Sequence, residues 1–181
     1  MEMNLANKIT TLRVILIPVF LVVLLTDWIM MPWNRYAAAA IFIIASLTDM
    51  LDGYIARSRN MVTNFGKFMD PLADKLLVCS ALISMVGLGD LPAWVVIVII
   101  SREFAITGFR TLAVEANVVI AASWWGKIKT TIQMIMIVVV LIQVPSLVFD
   151  SIENLLIWLA VIFTIISGVD YIVKNIHVLK G

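Results

Sequence analysis

The chain has 181 residues, of which 62% are hydrophobic and 14% charged, and its net charge is +1. Its mean hydropathy is +1.06. A soluble domain is nearer half apolar and a quarter charged, so these values exclude a disordered chain, a coiled coil and an ordinary cytosolic globule. The balanced charge offers no basic surface for nucleic acid, and a single cysteine, Cys79, permits no internal disulfide.

What remains is a polytopic membrane protein with room for six helices of about 20 residues. The first predicted helix covers 10–27. Arg13 followed by the apolar run 14–26 resembles a signal peptide, but DWIMMPW follows instead of a small-residue cleavage site. We therefore read it as a first transmembrane helix that is retained. Met31-Pro32 marks the next turn, and further helices are predicted over 36–57 and 67–88. Gly87-Leu88-Gly89-Asp90 then separates the third helix from a fourth over 91–113. Gly126 signals the turn into the fifth, 127–149, and Pro145 through Asn154 the turn into the sixth, 153–174. There is no internal repeat. The reading is one all-α domain over 1–181, because lipid admits only helices or closed barrels and the alternation of barrel strands is missing.

The charges are unevenly placed. Only the fifth segment contains a charge-free run, 130–149, long enough for a plain span. The other helices must carry ionisable residues in or near the bilayer. Threading six helices with the N-terminus inside puts twelve of the 13 Lys and Arg on one side and Arg35 on the other. By the positive-inside rule the first side is cytoplasmic, with both termini, and Trp28, Trp33 and Trp94 fall at the opposite interface. The charged ends of the second, third and fourth helices share the cytoplasmic leaflet. A charge at the bilayer centre costs about 2.5–3.5 kcal/mol on the insertion scale, so this grouping points to a water-filled cavity open to the cytoplasm.

Four of the 12 acids lie in the segment DMLDGYIARSRNMVTNFGKFMDPLAD, residues 49–74. Asp49 and Asp52 are three apart, Asp70 and Asp74 four apart, so each pair shares a helix face. Four clustered carboxylates need counter-charge, from arginine or from divalent cations. The segment has neither histidine nor cysteine, and an all-oxygen donor set favours Mg²⁺, Mn²⁺ or Ca²⁺ over Zn²⁺. Gly53 and Ala56 follow Asp49 on nearly its face, and Gly66 precedes Asp70 by one turn. Such a small-residue track admits either a ligand or a close helix neighbour.

The pattern Asp49-x-x-Asp52-Gly53-x-x-Ala56-Arg57, eight residues, then Gly66-x-x-x-Asp70-x-x-x-Asp74 resembles the signature of the CDP-alcohol phosphatidyltransferase family at every defined position. The resemblance covers essentially the whole chain. It implies a homodimer embedded among membrane lipids, in a bacterial cytoplasmic membrane, with the active site facing the cytoplasm. It also implies two bound divalent ions and transfer of a phosphatidyl group from CDP-diacylglycerol to an alcohol, releasing CMP. Carried over, Asp49, Asp52, Asp70 and Asp74 would be the metal ligands, and Asp74 also the general base. Gly53, Ala56 and Gly66 would shape the cytidine pocket, with Arg57 on the nucleotide side.

The acceptor must be chosen elsewhere. The fourth helix carries SREFAITGFR, residues 101–110, in which Glu103, Thr107 and Arg110 share a face and Arg102 flanks it. Lys127 and Lys129 open the next helix. Arginine forks and lysine point charges suit a phosphate dianion, so Arg102, Thr107, Arg110 and Lys127 are assigned to a phosphorylated acceptor. SREFAITGFR, the later GKIKT, and Asn7-x-x-Thr10-x-x-Arg13 followed by ILIP resemble the phosphatidylglycerophosphate-forming branch of that family, whose acceptor is glycerol 3-phosphate. In that branch Asn7, Thr10 and Arg13 would reach the diphosphate of CDP. Ala6 departs from the branch pattern, where proline often precedes the asparagine. Alternatives are a relative using inositol phosphate, serine or phosphatidylglycerol, and, outside the class, a divalent-cation transporter.

Overall fold

The computed structural model describes the backbone of residues 5–58, 64–115, 118, 120 and 123–176, and the side chains of 10–48, 69, 72–115, 118, 120 and 123–176. Among the described residues there are six helices and no strand: α1 (Leu5–Leu25), α2 (Trp33–Ser58), α3 (Asn64–Gly87), α4 (Ala93–Glu115), α5 (Trp124–Ile142) and α6 (Leu147–Asn175). They fall into two compact units, Met1–Leu88 and Gly89–Gly181.

The first unit holds α1, α2 and α3, with α1 packed on both of the others. The buried residues of α1 are Thr10, Arg13, Ile17, Phe20 and Leu24. Their alternating spacing of three and four draws one row along the helix. Phe20 meets Phe42 of α2 with ring centroids 6.1 Å apart. On α2 the buried Ala38, Ala39 and Ala45 flank Phe42, and such small side chains let helix backbones approach closely. In register, positions 49 and 52 continue the row 38, 42, 45. On α3 the core row is Ala73, Leu77, Ala81 and Ser84.

The second unit holds α4, α5 and α6, with α6 packed on both partners. Its buried rows keep the same alternation: Val95, Ile99, Ile106, Phe109 and Ala113 on α4, then Lys129, Gln133, Met136 and Val140 on α5. On α6 they are Ile157, Ala160, Thr164, Ser167 and Tyr171. Many large apolar side chains stay exposed on the outside, among them Ile97, Phe104, Leu155, Ile162 and Val173. An apolar outside, with polar residues such as Arg13, Lys129 and Gln133 turned inward, is how helices in lipid are arranged. Among the described residues α5 and α6 are long and apolar enough to cross a membrane, and Thr10–Leu25 is a shorter apolar helix.

Several boundaries differ from the sequence expectation for local reasons. α3 begins at Asn64 and runs through Pro71, so the proline does not start the helix. Gly126, expected as a turn, lies inside α5. That helix starts one residue after Ser123, whose hydroxyl accepts a hydrogen bond from the Gly126 amide at 3.1 Å, a cap that contributes about 1 kcal/mol. α5 ends at Ile142 rather than 149, with Gln143 left-handed at φ 44°. The Gln143 side chain donates to Asp90 at 2.6 Å. Pro145 then blocks continuation, and α6 begins at Leu147 with Asp150 in its first turn, where a negative charge suits the helix dipole. The charge-free run 130–149 is thus shared by two helices. Gly89, at φ +82°, takes the left-handed turn that a side chain would disfavour.

Candidate active site

The aspartate motif lies wholly in the first unit. Positions 49 and 52 are in the last third of α2, and 70 and 74 in the first half of α3, two helices that pack together. The side chains of Asp49, Asp52, Gly53, Ala56, Arg57, Gly66 and Asp70 lie outside the described residues, as does that of Asn7. Asp74 is described, and its side chain is exposed. Four carboxylates in a segment without histidine or cysteine form a donor set that fits hard divalent cations.

Thr10 and Arg13 are almost completely buried, at 1% and 0% exposure. They occupy the row of α1 that faces its partner helices. A wholly buried arginine is too costly to be an interfacial anchor, since its charge must be met by partners inside the protein. This separates Arg13 from the lipid-facing cations.

In the second unit the basic residues take distinct surroundings. Arg102 is half-buried and lies in register with the buried row of α4, between Ile99 and Ile106. The Arg102 stem crosses α6 at Gly168, where an added Cβ would stand 3.3 Å from Cγ. Its Nη2 reaches the start of α5, where a Cβ on Gly126 would stand 3.6 Å away. Nη1 pairs with Glu103 Oε1 at 3.2 Å. The same Glu103 oxygen takes Lys129 Nζ, so one carboxylate meets two cations. Arg102 Nε and Asp170 Oδ2 are buried polar atoms with no hydrogen-bond partner among the described residues. Such atoms are normally satisfied by water or ligand.

Arg110, two turns beyond Arg102 and therefore about 12 Å along the axis, is exposed and donates from Nε to the Tyr171 hydroxyl at 3.2 Å. Thr107 donates to the Glu103 carbonyl at 2.7 Å, a bond within its own helix. Lys127 is exposed and stands 5.6 Å from the Trp124 ring centre. The structure thus gathers Arg102, Glu103 and Lys129 into one cluster and sets Arg110 on Tyr171. Sequence reasoning missed Gly168 and Tyr171. Asp170, next to Tyr171 on α6, pairs through Oδ1 with Lys174 at 2.6 Å.

Comparison with known proteins places these residues in context. The family model described as CDP-alcohol phosphatidyltransferase matches residues 3–166. A Bacillus subtilis (strain 168) protein named CDP-diacylglycerol–glycerol-3-phosphate 3-phosphatidyltransferase is 50% identical, over 98% of this chain and 97% of its own length. A Rickettsia bellii protein of the same name is 36% identical over 93% of each chain. One from Shigella flexneri serotype 5b is 36% identical, over 95% of this chain and 94% of its own.

Proposed function

The chain belongs to the CDP-alcohol phosphatidyltransferase family, and from that premise we propose that it transfers the phosphatidyl group of CDP-diacylglycerol to glycerol 3-phosphate. The products are phosphatidylglycerophosphate and CMP. The names of the relatives support this reaction, since they state both substrates. The structural observation that supports it is that positions 49 and 52 lie on α2 and positions 70 and 74 on α3, two helices packed in one unit.

In this reading the whole chain, 1–181, is a single catalytic domain with six transmembrane spans. Both termini and the active site face the cytoplasm, the protein sits in a bacterial cytoplasmic membrane, and it works as a homodimer. Asp49, Asp52, Asp70 and Asp74 hold two divalent ions, Mg²⁺ or Mn²⁺. When bound, these ions neutralise the diphosphate and stabilise CMP as leaving group. Gly53, Ala56 and Gly66 leave room for cytidine, and Arg57, Asn7, Thr10 and Arg13 bind the CDP moiety. Arg102, Thr107, Arg110 and Lys127 hold the phosphate of the acceptor. The acceptor hydroxyl attacks the phosphorus that bears diacylglycerol. A new O–P bond forms, the P–O bond to CMP breaks, and the hydroxyl proton passes to Asp74. The exposure of Asp74 supports that role, because a base must come within hydrogen-bond reach of the attacking oxygen.

The test is CMP release by the purified protein with CDP-diacylglycerol, Mg²⁺ and a panel of alcohols. Release with glycerol 3-phosphate, and little with inositol phosphate, serine or phosphatidylglycerol, is expected. Release with inositol phosphate but not glycerol 3-phosphate would overturn the acceptor.

A further inference from the structure

Tyr171 belongs neither to the aspartate motif nor to the basic set, yet it is 2% exposed on α6. Its hydroxyl accepts a hydrogen bond from Arg110 Nε at 3.2 Å. The guanidinium carbon of Arg110 also stands 5.7 Å from the centre of the same ring, within cation–π range. The ring is held in turn. It meets Phe109 edge-on with centroids 5.8 Å apart, inside an apolar cluster of Ile106, Phe109 and Tyr171 against which Ile120 packs. A buried, packed tyrosine thus grips an otherwise exposed arginine at two points.

The grip is one-sided. Its hydrogen bond uses Nε, and neither Nη1 nor Nη2, the fork that takes a phosphate with two parallel hydrogen bonds, is part of it. A long exposed side chain loses rotamer freedom when it closes on a ligand. A side chain already restrained loses less, and the difference appears as affinity.

We infer that Tyr171 is a positioning residue for the phosphorylated acceptor: it fixes Arg110 so that the guanidinium fork is presented before the acceptor arrives. This rests on the reading of Arg110 as a ligand of the acceptor phosphate. The effect belongs to acceptor binding, because the restraint is the same before and during the chemical step.

Tyr171→Phe keeps the ring and its packing and deletes the hydroxyl. In the purified full-length protein with CDP-diacylglycerol and Mg²⁺, its KM for glycerol 3-phosphate should rise about five- to tenfold, the net scale of one hydrogen bond. The kcat, the KM for CDP-diacylglycerol and the thermal midpoint should stay close to wild type. Arg110→Ala should raise the same KM further, and adding Tyr171→Phe to it should then change nothing more. If Arg110→Ala raises the acceptor KM and Tyr171→Phe does not, the acceptor reading stands and the inference falls. If Arg110→Ala leaves that KM unchanged, the acceptor reading falls and takes the inference with it. If Tyr171→Phe lowers kcat and the thermal midpoint and shifts both KM values together, Tyr171 is a packing residue only.

Discussion

Lys129 of α5 is 2% exposed and is ion-paired with Glu103 of α4, whose same carboxylate oxygen also meets Arg102. The pair joins two helices of the second unit deep enough to exclude solvent from the ammonium. Removing the acid leaves a buried cation without its counter-charge, which typically costs about 3–5 kcal/mol. Glu103→Ala should therefore lower the thermal midpoint of the detergent-solubilised protein markedly. Glu103→Leu combined with Lys129→Met removes both charges and should recover most of the loss. A double variant as unstable as the single would show that the pair does more than balance charge.

Asp74→Asn keeps size and shape but cannot accept the proton of the acceptor hydroxyl. Loss of a general base costs about 10²- to 10⁴-fold in rate. Turnover should fall at least a hundredfold, by about that estimate, while helical content by circular dichroism and the thermal midpoint are retained. Near-normal kcat would remove Asp74 as base.

Gly168→Ala places a methyl 3.3 Å from Arg102 Cγ, closer than side chains usually pack. The arginine stem must yield by a few tenths of an ångström. The expected outcome is a severalfold higher KM for glycerol 3-phosphate at unchanged KM for CDP-diacylglycerol. An unaltered acceptor KM would mean that Arg102 tolerates displacement and is not a close ligand.

Chelation should abolish activity, and added Mg²⁺ or Mn²⁺ should restore it. Zn²⁺, which prefers histidine nitrogen and cysteine sulfur, should restore little, because the aspartate segment has neither histidine nor cysteine. Full activity after exhaustive chelation would contradict the assignment of the four aspartates.

The aspartate motif was legible in the sequence because its spacing is local: residues three and four apart share a helix face whatever the rest of the chain does. The burial of Thr10 and Arg13 on α1 was not legible in the sequence, since a spacing of three does not show which neighbours enclose the row. On α4, polarity alone marked Glu103, Thr107 and Arg110, and only packing shows that the half-buried Arg102 stands in register with Ile99 and Ile106. Tyr171 and Gly168 gave no sequence signal. They act on arginines some 60 residues away, and only helix packing brings them together. The end of α5 was missed for a different reason: the span was drawn along the charge-free run to 149, past Pro145, which already marked a turn.

The most direct measurement follows the phosphorus. Purified protein is supplied with CDP-diacylglycerol, Mg²⁺ and ³²P-labelled glycerol 3-phosphate, and both the lipid-soluble label and the released CMP are counted. One labelled lipid per CMP, identified by mass as phosphatidylglycerophosphate and lost in Asp74→Asn, is the expected result. CMP released without label in the lipid, or no CMP at all with this acceptor, would contradict the proposed transfer.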